Sequence, residues 1–199
     1  MNIGIDIDGV IFDTERYYRA YSDFFNYTRN GGRDIVDTNE PRVQKRFAWS
    51  DELIEEFMSK YLLSIQEIAP ILPMAREVLE ILRTRGHRLI VISSRGIHYS
   101  KEIDILMRRL DEYGLKFDAI HLSLEDKLPT CREEKIDVIL EDYYDNVCHL
   151  SENGVPCLYF RGDILKFCKN ANVIEVDNWG QVLRALENFE GVGFDKNKK

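Results

Sequence analysis

Ile5-Asp6-Ile7-Asp8-Gly9-Val10-Ile11-Phe12-Asp13 opens the chain with an apolar, β-branched run that carries two acids two residues apart. Such a run reads as a buried strand. Along extended backbone, residues two apart point the same way, which sends Asp6 and Asp8 out together at the strand's end. Gly9 permits a sharp turn directly after them. Two carboxylates held side by side repel and raise each other's pKa, so the pair implies a shared cation or a proton in play. The ordinary alternative for D-x-D-G is a surface turn. Asp13 reads most simply as the cap of the helix that follows.

Further strands are expected at Arg88 to Ile92, Phe117 to Leu122, Ile136 to Leu140, Pro156 to Phe160 and Val173 to Val176, each short and rich in apolar residues. Helical patterns lie between them. Pro73 is placed as the first helical residue of Met74 to Arg85, with Gly86 as its stop; Tyr99 to Tyr113 ends at Gly114; Asn178 caps Trp179 to Phe189. Strand–helix alternation predicts an α/β fold with a mostly parallel sheet covered by helices on both faces. One interval breaks the alternation: from Thr14 to Leu72 there are only helical patterns, Thr14 to Asn30 and Asp51 to Leu63 with Ser50 as its cap. An insertion at the carboxyl end of a strand sits over the crevice where open α/β sheets bind ligands, which makes this stretch either a lid or a plain helical layer of the core. The expected organisation is a core of 1–13 and 73–192, a helical cap of 14–72 and a frayed tail at 193–199.

The other strand ends add to Asp6 and Asp8. Ile92 runs into Ser93-Ser94-Arg95-Gly96, which offers hydroxyls, a guanidinium and backbone N–H groups suited to a phosphate. Leu140 runs into Glu141-Asp142-Tyr143-Tyr144-Asp145, and parallel strands bring such ends to one edge. Asp6, Asp8 and Asp142 are hard oxygen ligands with no His or Cys among them, a set that suits Mg²⁺. A phosphomonoester would enter this acidic edge only with a divalent metal and a basic side chain to offset the repulsion. Lys127 is placed to supply that charge, with Lys101 and Lys135 as competitors.

The 199 residues include 27 Lys and Arg against 35 Asp and Glu, a net charge of −8. That balance argues against a nucleic-acid polymer as partner, because such binding runs on basic residues. With 44% hydrophobic and 31% charged residues the composition is that of an ordinary globular protein. No signal peptide and no membrane span is expected, since no apolar run approaches the ~18 residues a span requires. Cys131, Cys148, Cys157 and Cys168 lack C-x-x-C pairing and read as reduced thiols of a cytoplasmic protein. Oligomeric state is left open, a homodimer included.

Asp6-Ile7-Asp8-Gly9-Val10, Ser93 after Val91-Ile92, Lys127, and Glu141-Asp142 resemble, in order and in strand context, the motifs of the haloacid dehalogenase superfamily of phosphatases. The resemblance spans about 6 to 146 and implies a Rossmann-like core with a small cap inserted after the first strand. It implies Asp6 as nucleophile and metal ligand, forming an aspartyl-phosphate. Asp8 becomes the general acid/base and gives its backbone carbonyl to the metal; Ser93 and Lys127 hold phosphate, with Ser94 and Arg95 beside them; Asp142 ligates Mg²⁺. The cap, with Phe47-Ala48-Trp49 and Glu56-Phe57, and Asp126-Lys127 with Glu141-Asp142 resemble the 5′(3′)-deoxyribonucleotidase-like proteins. By that resemblance Phe47, Trp49, Phe57 and Tyr61 either stack on a nucleotide base or pack the cap's own core. Two departures stand out: Glu141 where an Asp is more usual, and Met58 after Phe57 where a Trp is. The implied activity is Mg²⁺-dependent hydrolysis of a small phosphorylated metabolite, a nucleotide first. The alternatives are a phosphatase or phosphotransferase acting on sugar phosphates and a silent phosphate-ligand-binding protein.

Overall fold

The computed structural model describes residues 1–40, 42–162 and 166–191, side chains of 188–191 excepted. The expected tail at 193–199 lies outside the described residues. In chain order the elements are β1 (Asn2–Ile5), α1 (Thr14–Asn30), α2 (Val43–Arg46), α3 (Asp51–Ile68), α4 (Ala75–Thr84), β2 (Arg88–Ile92), α5 (Lys101–Glu112), β3 (Ala119–His121), α6 (Leu128–Glu133), β4 (Val138–Glu141), α7 (Tyr144–Glu152), β5 (Cys157–Phe160), β6 (Val173–Val176) and α8 (Trp179–Gly191).

The six strands form one sheet in the order β3-β2-β1-β4-β5-β6, and every pairing is parallel. Both faces are covered, which is why the strands read as nearly unbroken apolar runs. On one face Ile3, Ile5, Val91 and Leu140 pack against α4, α5 and α8 through Leu79, Leu82, Leu106 and Trp179. On the other, Ile90, Ile92, Ile139 and Tyr159 meet α6 and α7 through Leu128, Cys131, Val147 and Leu150. α1, α2 and α3 lie between β1 and α4 in the chain and hold a separate apolar cluster of Phe25, Val43, Phe47, Trp49, Phe57 and Ile65. All four cysteines are free thiols, and among the described residues no helix is long and apolar enough to cross a membrane.

Three local expectations need correction. β1 stops at Ile5, so Asp6 and Asp8 stand in the loop beyond the strand and not on its pleat. Pro73 sits in a turn ahead of α4, because Met74 takes a left-handed φ of 67° and the helix starts only at Ala75. Asp13 precedes α1 but makes no side-chain cap hydrogen bond; its carboxylate is 3.3 Å from Arg16 Nε. Two caps hold as read: Ser50 Oγ accepts from Leu53 N–H at 3.4 Å, and Asn178 Oδ1 from Gln181 N–H at 3.0 Å.

Trp179 ties the end of the chain to its beginning. The fully buried indole donates from Nε1 to the Val10 carbonyl at 2.8 Å, in the loop that carries Asp6 and Asp8. Trp179→Phe keeps an aromatic ring there but strands a buried carbonyl, so unfolding stability should fall by about 1–3 kcal/mol. Urea denaturation followed by circular dichroism reads this as a lower midpoint at unchanged slope. An unchanged midpoint would mean the bond contributes nothing to holding the loop.

Candidate active site

Register brings three strand ends together. Ile5 lies opposite Val91 on one side and Leu140 on the other, so Asp6, Ser93 and Asp142 leave the sheet close to one another. This is the point where strand order reverses, the usual ligand crevice of an open parallel sheet. The Asp6 N–H still donates to the Leu140 carbonyl at 3.0 Å, which fixes its carboxylate at the edge. The chain then folds back, with the Ile7 carbonyl accepting from Ile11 at 2.9 Å and Phe12 at 3.0 Å. Gly9 at the bend has φ of 68°, and a Cβ there would lie 2.0 Å from Asp142 Oδ2. Only glycine lets this loop lie against Asp142.

Lys127 enters from just before α6 with 4% of its surface exposed. Its Nζ donates to Glu141 Oε2 at 2.6 Å and lies 2.9 Å from Asp6 Oδ2. Burial opposes its charge, but the two acids outweigh that and hold its pKa above the ordinary lysine value. The other oxygen of the fully buried Glu141 accepts from the Tyr143 N–H and the Asn146 side chain, both at 3.2 Å. Glu141 is therefore satisfied, and it serves to orient the lysine. Asp6 Oδ1, by contrast, is buried with no hydrogen-bond partner among the described residues.

Arg95 is the second buried cation. Its Nε and Nη2 donate to Asp8 Oδ2 and Oδ1, each at 2.8 Å, while Nη1 has no partner among the described residues. Burial would raise the Asp8 pKa, but this two-pronged contact outweighs it and holds the carboxyl below its usual range. Asp6 and Asp142 go the other way. Burial pushes Asp6 up to about 6, with Lys127 pulling down and Glu141 and Asp8 pushing up. Asp142 stands well above the usual carboxylate range through burial, then through Glu141, Asp6 and Glu15. Negative charge at this edge exceeds what Lys127 and Arg95 offset.

Asp6, Glu141 and Asp142 can each bring an oxygen within 4.8 Å of the others. An all-oxygen set with uncompensated negative charge fits a hard divalent cation such as Mg²⁺. With Glu141 already engaged, Asp6 and Asp142 are the carboxylates available to it.

Asp6, Asp8, Ser93, Ser94, Arg95, Lys127 and Asp142, which the sequence singles out, all line one cavity of about 480 Å³. Ser93 Oγ accepts from the Arg95 N–H at 3.3 Å, whereas the Ser94 hydroxyl donates to the Leu124 carbonyl at 2.9 Å and is committed to the loop. Lys101 and Lys135 do not line the cavity. Neither does Asp145, whose carboxylate accepts from Lys45 and from the Tyr143 hydroxyl.

The cap aromatics pack their own core. Phe47 stacks on Trp49 with centroids 4.3 Å apart, Phe25 meets Trp49 edge-on at 5.1 Å, and Phe57 meets Tyr61 at 5.4 Å. None of Phe47, Trp49, Phe57 and Tyr61 lines the cavity, so stacking on a base is not their part. The cap reaches the cavity instead through Thr14, Glu15 and Tyr18 of α1, Arg42, Val43 and Gln44 at α2, and Met58, Leu62 and Gln66 of α3. Sequence reasoning passed over Tyr18, Leu62, Gln66 and the core residue Glu102. The spacing of four from Met58 to Gln66 is the one signal that could have marked a shared face.

No protein-family model matches the chain. It is 24% identical over 190 residues to a Bacillus subtilis protein named "Putative nucleotidase", with 94% of each covered. It is 26% identical over 184 residues to a Clostridium acetobutylicum protein named a nucleotidase, covering 92% of this chain and 91% of that one. Among solved structures, a haloacid dehalogenase-like family hydrolase from Streptococcus pneumoniae matches with a TM-score of 0.63 at 16% identity, over 93% of this chain and 97% of that one. The chain therefore has the haloacid dehalogenase-like fold, and across more than nine-tenths of its length it is similar to proteins named as nucleotidases.

Proposed function

We propose that this chain is a Mg²⁺-dependent phosphomonoesterase that works through an aspartyl-phosphate on Asp6, with nucleoside monophosphates as its substrates. The observation that carries the reading is the division of labour within Asp6, a residue that lines the cavity: Lys127 holds Oδ2, while Oδ1 is buried and unpartnered among the described residues. A carboxylate oriented through one oxygen presents the other to phosphorus, and covalent catalysis splits one hard displacement into two easier ones. Similarity to proteins named as nucleotidases supports the nucleotide.

In this reading Asp6 Oδ1 attacks phosphorus, while Lys127, the Ser93 hydroxyl and the free Nη1 of Arg95 hold the phosphoryl oxygens. Asp8 protonates the departing oxygen and then takes a proton from the water that releases phosphate. Arg95 keeps Asp8 ionised in the substrate-free protein, the form needed for the second step. A phosphate dianion competes for the guanidinium, and what it draws away raises the proton affinity of Asp8 for the first. Mg²⁺, held by Asp6, Asp142 and the Asp8 backbone carbonyl, would supply the positive charge that lets phosphate approach an acidic edge.

Phosphate release from nucleoside monophosphates and sugar phosphates, with Mg²⁺ and with EDTA, tests this. Release should need Mg²⁺, favour nucleotides and fall at least about a thousandfold in Asp6→Asn. Release that persists in that variant would sink the mechanism. A thermal-unfolding series tests the cation separately. Mg²⁺ at a hundred times its Kd should add about 2.7 kcal/mol to stability. Asp142→Asn should lose most of that gain, and should raise the metal-free midpoint by about 2–4 °C per kcal/mol of repulsion removed. A full Mg²⁺ response in Asp142→Asn would place the cation elsewhere.

A further inference from the structure

Gln66 stands near the end of α3 with 2% of its surface exposed, yet it lines the same cavity as Asp6. Its Nε2 donates to Glu102 Oε2 at 2.8 Å. Glu102, equally buried, accepts on Oε1 from the N–H groups of His98 at 3.2 Å and Tyr99 at 2.9 Å. A carboxylate only accepts, so the NH₂ end of the Gln66 amide is obliged to face it. Oε1 is thereby turned away, and it has no hydrogen-bond partner among the described residues. A buried acceptor without a donor is destabilising, and on a cavity wall a ligand's N–H or O–H relieves it.

The neighbourhood narrows the ligand. Met58, Leu62 and Gln66, four residues apart, form one stripe along α3, facing the cavity that Ile97 and Tyr18 also line. The Tyr18 phenol is kept protonated, chiefly by burial and then by the charges of Asp8 and Glu102, against the pull of Arg95 and of a hydrogen bond with the Gln66 side chain. Along the α3 stripe two apolar side chains precede one buried acceptor, an arrangement that suits a flat ring with an N–H at its edge.

We propose that Gln66 reads the leaving group of the substrate, accepting a hydrogen bond from a ring or exocyclic N–H of a nucleobase, and that Glu102 positions it by fixing the sense of its amide. This rests on the phosphomonoesterase reading and adds to it the residue that selects the base.

The test compares kcat/KM for nucleoside monophosphates with that for p-nitrophenyl phosphate, which carries no N–H. Gln66→Met keeps the volume and removes the acceptor, and the nucleotide preference should fall about tenfold. Analogues without the donor, 3-methyluridine monophosphate for uridine and purine riboside monophosphate for adenosine, should cost the wild type about the same factor and Gln66→Met nothing further. Glu102→Gln is the second variant, for use should Gln66→Met fail to fold. Its carboxamide can donate to Gln66 Oε1, so preference should again drop without any cavity being opened. Unchanged preference in either folded variant, with nucleotides still cleaved by the wild type, overturns the role of Gln66 and leaves the phosphatase standing. Cleavage of sugar phosphates but of no nucleotide overturns the nucleobase. Cleavage of nothing, p-nitrophenyl phosphate included, removes the phosphomonoesterase reading and this proposal with it.

Discussion

Lys127 lies buried between Asp6 and Glu141, and its charge is what allows acids from two adjacent strands to share one sheet edge. Stranded alone in an apolar interior, either carboxylate would be strongly disfavoured in its charged form. Paired through the lysine, both are tolerated, and the cost of burying the lysine is offset in turn. The same contact divides the two oxygens of Asp6, engaging one and leaving the other buried without a hydrogen-bond partner among the described residues. Arg95 repeats the device with Asp8. Four acids and two cations then converge on a small volume, and the remainder shows in Asp142, whose carboxyl is pushed well above its ordinary range. Such an edge is built to receive further positive charge.

The cap solves a different problem. A helical stretch outside the main core must hold itself together, and it does so with aromatic rings, Phe47 on Trp49 and Phe25 against Trp49 and Phe57. It is then attached by polar contacts. Lys45 reaches Asp145 and the Tyr143 hydroxyl, the Arg42 guanidinium lies 3.5 Å over the Tyr143 ring, and Arg109 donates to the carbonyls of Glu67 and Ala69. With the large rings spent on internal packing, the surface turned to the cavity is mixed, with Glu15, Arg42 and Gln44 beside Tyr18, Met58, Leu62 and Gln66. Met58 gains meaning here: the unbranched thioether lines the cavity while Phe57 beside it is fully buried.

The sheet could be read from the chain because period and punctuation are local properties. Apolar runs of four or five residues, separated by helical patterns that end at Gly86 and Gly114, leave little choice of architecture. Boundaries were less legible. Pro73 looks like a first helical residue, yet the left-handed Met74 after it delays α4, a backbone choice that nothing in the local pattern marks. Asp13 has the right type and position for a cap, but its carboxylate lies against Arg16.

Sequence alone determined the class of fold and which acids, hydroxyls and basic side chains gather at the sheet's edge, but not the residues that face them from the helices above. In parallel strands the carboxyl ends lie side by side, so acids and hydroxyls found just after apolar runs are bound to meet. Tertiary structure alone decided how those groups pair: Lys127 with Asp6 and Glu141, Arg95 with Asp8, and Gln66 with Glu102 across the cap boundary. These partners are separated by 14 to 121 residues in the chain. Which atom of each is engaged and which is left free depends on distances of a few tenths of an ångström, set by packing that no local pattern records.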